Sequence, residues 1–204
     1  MSKIAIIGAT GRAGSQLLEE ALRRGHSVTA IARNTASIGD RPGVVSQPLD
    51  VLDSEALTAA VAGHDAVISA AHFASVPADK IIAPLKAAGV KRLLVVGGAG
   101  SLLLPDNTRV IDSDGFPAEY LAEASAGALF LDVLRKEQDL DWTFLSPSAE
   151  FVETERTGQF RVGKDHLLFD EAGRSWISFA DYAIAMIDEV QTPRFSRTRF
   201  TVGY

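Results

Sequence analysis

The chain has 204 residues, a formal net charge of −6, 47% hydrophobic and 23% charged residues, and no cysteine. That length and apolar content can build a sizeable buried core, and the missing cysteines exclude disulfides, zinc ribbons, thiolate nucleophiles and cysteine-held iron–sulfur clusters. The acidic balance argues against a nucleic-acid binder, which needs clustered Lys and Arg, and no stretch reaches the roughly 18 apolar residues of a membrane span.

In chain order, a strand is predicted over Lys3–Ile7, a helix over Ala13–Arg24, and strands over Ser27–Ala32 and Val44–Gln47. A helix over Glu55–Val61 follows, with Asp53 or Ser54 as its N-cap, then a strand over Ala66–Ser69 and a helix over Ala78–Ala88 that Pro84 interrupts. Gly25, Gly63 and Gly89 stand where helix C-caps belong. A strand at Arg92–Val96, a helix at Ala118–Lys136 and a strand at Trp142–Leu145 complete the pattern. Most of these strands are continuously apolar, as in a parallel sheet covered on both faces. The βαβ rhythm implies an α/β, Rossmann-like doubly wound parallel sheet in a single domain.

After residue 150 the rhythm changes. Gln159–Val162 and Leu167–Phe169 flank a polar stretch and read as a hairpin. Ser178-Phe179-Ala180-Asp181 fits a capping box opening a helix through Glu189, and Arg199–Val202 reads as a last strand. Residues 151–204 are therefore expected to form a small accessory appendage on the substrate side.

Glycines at 8, 11 and 14 fall directly after the first strand, in Gly8-Ala9-Thr10-Gly11-Arg12-Ala13-Gly14. In a dinucleotide site, Gly8 permits the tight turn, Gly11 lets backbone approach a pyrophosphate, and Gly14 lets the helix pack close to the sheet. The unpaired N–H groups of the helix then face the anion. The alternative is a glycine-rich turn without a ligand.

An NAD site places an acid about 20 residues further on, to bind the ribose 2′-hydroxyl. Here Arg33-Asn34 ends the second strand, and no acid lies between Glu20 and Asp40. A guanidinium suits a 2′-phosphate, so NADP(H) is favoured over NAD(H), with Arg12 as a second cation. A solvated arginine at a strand end is the other reading of Arg33.

Further candidates follow the later strands, where ligands of this architecture bind. Asp50 and Val51 can meet the adenine edge, or Asp50 can simply shape its loop. Ala70, Ala71 and His72 offer close approach to a sugar or phosphate. The small run Gly97-Gly98-Ala99-Gly100-Ser101 opens space for a nicotinamide, and Pro147 and Ser148 can form the opposite wall.

These segments, with Asp141-Trp142-Thr143 and Trp176–Ala183, resemble the atypical short-chain dehydrogenase/reductases, and within them the NmrA-like NAD(P)H-binding proteins. The chain is most similar to small NADH-flavin reductases and to biliverdin-IXβ/flavin reductase. The resemblance implies hydride transfer from NAD(P)H to a flavin, a quinone or another flat acceptor such as biliverdin. It places the acceptor near His72, Phe73, Ser101, Phe116, Pro147, Ser148 and Phe151. One departure is clear: Tyr120 is followed four positions later by Ala124, so the Tyr-x-x-x-Lys dyad of other short-chain dehydrogenases is missing.

Without that dyad no residue is established as an acid or base; His72, Ser101 and Ser148 are the candidates. His72 either donates to the acceptor or holds the cofactor ribose or backbone. Ser101 relays a proton or caps a turn, and the three phenylalanines stack on the acceptor or fill the core. His26 and His64 are expected to face solvent and, with His166, are too scattered for a metal site. Asp112 and Asp114 flank a turn, not a calcium loop. Trp142 and Trp176 read as core anchors. The expected ligands are a nucleotide and a small flat acceptor, bound by a cytoplasmic monomer or homodimer. The rival is a dinucleotide-binding redox sensor with little turnover.

Overall fold

The computed structural model describes residues 1–204. In chain order the first half runs β1 (Lys3–Ile7), α1 (Arg12–Arg23), β2 (Ser27–Ala32), β3 (Val44–Pro48), α2 (Ser54–Val61), β4 (Ala66–Ser69), α3 (Asp79–Ala87) and β5 (Arg92–Val96). The second half runs α4 (Leu121–Lys136), β6 (Asp141–Ser146), β7 (Glu150–Val152), β8 (Arg161–Gly163), β9 (Trp176–Ser178), α5 (Phe179–Gln191) and β10 (Thr198–Gly203). Short 3₁₀ turns at Val110–Asp112 and Ala118–Tyr120 precede α4. No helix is long and apolar enough to cross a membrane.

The main sheet has eight strands in the order β3-β2-β1-β4-β5-β6-β10-β8, with β7 and β9 paired separately. Its first seven strands are parallel, and only β8 runs antiparallel, against β10. This is the Rossmann-like doubly wound sheet that the sequence implies. The chain first winds outward from β1 through β2 to β3, then returns to build on the other side from β4. The gap between the ends of β1 and β4 is thus the switch point, where two loops leave in opposite directions and leave a crevice.

Alternation along the central strands divides the core. Ala5, Ile7, Val67, Leu93, Val95 and Phe144 pack with α2, α3 and α4 on one face. Ile4, Ile6, Ile68, Leu94 and Leu145 pack with α1 and α5 on the other. Nearly continuous apolar strands follow from having both faces covered. Asp53 caps α2 through a side-chain bond to Ala56 N, and Gly25, Gly63 and Gly89 follow their helices with φ of +76°, +71° and +72°. The α3 helix continues through Pro84.

The C-terminal segment corrects the expected hairpin. Arg161–Gly163 pairs with β10, not with Leu167–Phe169, which forms no strand. The polar stretch between them is held by distant partners. Arg199 donates from Nε and a terminal nitrogen to Asp165 at 2.9 and 2.6 Å, and Leu103 N donates to Asp165 O at 2.8 Å. Nor is the segment peripheral: β10 extends the sheet beside β6, and α5 buries Tyr182, Ala183, Met186 and Ile187 in the core.

The capping box is also half formed. Ser178 Oγ accepts from Asp181 N at 2.9 Å, but the Asp181 carboxylate turns away to Thr157, Gly158 and Tyr204. Two histidine expectations fail as well. His26 is buried, its Nδ1 accepting from Ser2 N at 3.0 Å. His64 is buried between the Thr29 hydroxyl at 2.7 Å and the Val61 carbonyl at 2.9 Å. Both sit in short turns, and their polar partners come from the segment before β1 for His26 and from β2 and the end of α2 for His64. Trp142 lies in the core, whereas Trp176 is half-buried, donating to Asp170 Oδ2 at 2.9 Å.

Candidate functional site

The turn from β1 into α1 forms the floor of the switch-point crevice. Gly8 adopts φ +77°, and a Cβ there would stand 2.7 Å from Ala70 O. The β4 end can therefore lie against the turn only because residue 8 lacks a side chain. Gly14 is tighter still, since a Cβ would come within 2.0 Å of Gly8 O. Gly11 is the N-cap residue of α1 and provides no side-chain cap, and the first turn holds no acid. The N–H groups of Arg12, Ala13 and Gly14 have no partner within the protein, which leaves a positive helix end facing the crevice mouth.

The crevice is a cleft of about 430 Å³ lined by Gly8, Thr10, Gly11, Ala32, Arg33, Asn34, Asp50, Val51, Ala70, Ala71 and His72, among others. Residues from the ends of β1, β2, β3 and β4 are thus brought together, as the strand-end argument requires. Arg33 is exposed on this lining and pairs with no carboxylate. Asp50 serves two purposes at once: it lines the cleft, and its Oδ1 accepts from Leu52 N at 3.0 Å to shape the loop. Asn34 likewise accepts from Ala36 N at 2.9 Å.

Other candidates lie elsewhere. The Arg12 guanidinium rests over the Phe179 ring at 5.4 Å and does not line the cleft. Gly97 opens no space, because a Cβ there would strike the Phe144 ring at 2.4 Å; Gly98 alone is open. Pro147 and Ser148 are buried, the Ser148 hydroxyl donating to Val202 O at 2.9 Å. Phe73 is a core residue, 5.1 Å from the Phe130 ring and 5.9 Å from that of Phe144. Phe151 packs on Phe179 and Tyr182, and Phe116 sits half-buried in the loop before α4. Ser101 lines a separate depression with Arg199, Asp165 and Arg135. Of the three acid–base candidates, only His72 reaches the cleft.

Two features were silent in the sequence. Ile7, Ile31, Leu49, Leu52, Ser75 and Val76 complete the cleft walls, and only the nearness of Ile7, Ile31 and Leu49 to strand ends hinted at this. Glu123, at the start of α4, binds the loop after β4, and nothing in its sequence neighbourhood marks it. Tyr182 is fully buried with its hydroxyl donating to Leu145 O at 2.6 Å, and burial pushes it well above the ordinary tyrosine range. It is a neutral structural group, not a proton-transfer residue.

A glycine turn into an uncapped helix, at the switch point of a doubly wound sheet, defines a nucleotide-binding α/β protein. The chain belongs to the NAD(P)H-binding family, whose sequence pattern it matches over residues 8–190. It is 42% identical to the uncharacterized protein YwnB of Bacillus subtilis strain 168, over 98% of this chain and 97% of that one. The crystal structure of a "putative epimerase" from Bacteroides thetaiotaomicron is 42% identical with TM-score 0.92, covering 100% of this chain and 97% of that one. That of a "putative NADH-flavin reductase" from Streptococcus pneumoniae TIGR4 is 35% identical with TM-score 0.85, covering 100% and 99%.

Proposed function

We propose that the protein is an NAD(P)H-dependent reductase that favours NADPH and delivers hydride to a flavin or a similarly flat acceptor such as a quinone or biliverdin. The observation that carries the nucleotide preference is Arg33, exposed on the cleft at the end of β2 and free of any carboxylate. A permanently charged planar fork suits a 2′-phosphate, whereas a 2′-hydroxyl calls for an acid there. The flavin acceptor draws its support from the pneumococcal relative, although that protein is named for NADH.

The residues present fit a dinucleotide: the glycines admit it, the free N–H groups of α1 face its phosphates, and Ala70 and Ala71 leave room beside it. When bound, the nicotinamide supplies the hydride. The chain's task is to hold two flat rings in register and limit water between them. Consumption of NADPH should accelerate when FMN, FAD, a quinone or biliverdin is added. No acceleration with any of them would defeat the reductase reading.

A second reading, a dinucleotide-dependent sensor with little turnover, is favoured by one observation. Phe73, Pro147 and Ser148, on the side where an acceptor would stack, are buried in packed structure. Saturable NADPH binding without turnover, together with a protein that co-purifies, would favour it.

A further inference from the structure

One wall of the cleft is the loop after β4, which contributes Ala70, Ala71, His72, Ser75 and Val76. Phe73 and Val76 of this loop are buried in the core, but the side chains of His72, Ala74 and Ser75 are exposed and leave its outer edge unanchored. Its backbone is instead tied from α4, 50 residues further along the chain: Phe73 N donates to Glu123 Oε1 at 2.7 Å. Ala74 N donates to Glu123 Oε2 at 2.9 Å. Each carboxylate oxygen thus takes one of two consecutive N–H groups, a charge-assisted arrangement stronger than neutral hydrogen bonds. His72, the preceding residue, has its Nδ1 3.5 Å from Glu123 Oε1 and a side chain 85% exposed.

The fold does not depend on this tie for its core. Phe73 already packs between Phe130 and Phe144. What Glu123 adds is order at the loop's outer edge, where a ligand would lie, and ordering a wall beforehand removes an entropy cost from binding. We propose that Glu123 is a positioning residue for nucleotide binding, acting through the loop 72–76 and the orientation of the His72 ring. This rests on reading the cleft as an NAD(P)H site.

The test is nucleotide affinity in the intact protein. Glu123→Gln keeps the side-chain volume but replaces one acceptor by a donor, so one loop N–H loses its partner. The Kd for NADPH and that for NADH should each rise by on the order of tenfold, by a common factor, since β1 stands between the end of β4 and the end of β2 that Arg33 follows. Because Glu123 acts through the loop, combining it with His72→Ala should give less than the product of the two single effects. A melting temperature recorded on each variant separates loop disorder from unfolding. Affinity within twofold of the parent in a folded Glu123→Gln protein overturns the inference alone. Failure of the parent protein to bind either nucleotide overturns the site reading as well. Should the variant not fold, amide exchange on the nucleotide-free parent decides the matter: the Phe73 and Ala74 amides that donate to Glu123 should exchange slowly before NADPH is added, and fast exchange at both overturns the proposal.

Discussion

The carbonyl of Gly8 lies where a Cβ on Gly14 would have to be, at 2.0 Å. The first turn of α1 therefore rests directly on the backbone turn that ends β1. Gly14→Ala must push α1 outward or deform the turn. Overpacking of this kind costs about 1–3 kcal/mol, read as a lower melting temperature. Nucleotide affinity should fall further than stability alone explains, because the free N–H groups of Arg12, Ala13 and Gly14 move with the helix. Unchanged affinity in a folded variant would contradict the assignment of this turn as the phosphate cradle.

Arg33 supplies the second prediction. Arg33→Ala should weaken NADPH binding by roughly tenfold to a hundredfold, the worth of a charge-assisted contact, and leave NADH nearly unaffected. Arg33→Asp should invert the preference, since a carboxylate repels a 2′-phosphate and accepts from a 2′-hydroxyl. Equal effects on both nucleotides would remove Arg33 from the 2′ position.

The buried histidines make stability pH-dependent. Burial lowers the pKa of both His26 and His64 from the ordinary 6.5. A lowered histidine is neutral when folded but takes a proton when unfolded, so the unfolded state binds more protons below pH 6.5. Stability is full above that value and declines as the pH falls from 6.5 towards the lowered folded values. His64→Asn should flatten the slope of melting temperature against pH in this window. It should also cost about 1–3 kcal/mol at neutral pH by disturbing the bonds to Thr29 and Val61. An unchanged slope would place His64 in solvent after all.

Asp181 ties three segments together. Its burial, which raises a carboxyl pKa, is outweighed by hydrogen bonds from Thr157, Tyr204 and Gly158, which hold it below the ordinary 3.8. Its contribution is present above that pH and lost as acidification passes the lower folded value. Asp181→Asn should cost about 2–3 kcal/mol and free the segment before β8. Trypsin should then cleave after Arg156 faster than in the parent protein; equal rates would show that Arg156, paired with Glu20 at 3.1 Å, holds the segment by itself.

Phe73 separates two roles that residue type alone could not. As a core residue between Phe130 and Phe144, its replacement by alanine should cost about 3–5 kcal/mol in stability. A stable Phe73→Ala protein with a changed response to the acceptor would instead place it on the substrate.

Much of this was legible locally. Apolar runs of strand length, glycines after helices and the Gly8–Gly14 spacing each reflect a backbone requirement of a few neighbouring residues, so the doubly wound sheet and its glycine turn could be read directly. The strand-end residues Arg33, Asp50, Ala70 and His72 converge because parallel strands place all their carboxyl ends on one edge. What resisted reading was set by partners far away in the chain. The segment around Asp165 looked like a hairpin turn until Arg199 and Leu103 claimed it, and Asp181 looked like half of a capping box until Thr157 and Tyr204 took its carboxylate. His26 and His64 carry no mark of burial in their own neighbourhoods. Glu123 shows the same division most plainly. The sequence by itself determined the doubly wound class, the glycine turn after the first strand and the residues at the strand ends, because these follow from short-range pattern and chain order. Only the tertiary structure decided that an unremarkable glutamate on α4 holds the cleft wall, because its two hydrogen bonds exist only once α4 has packed beside the end of β4.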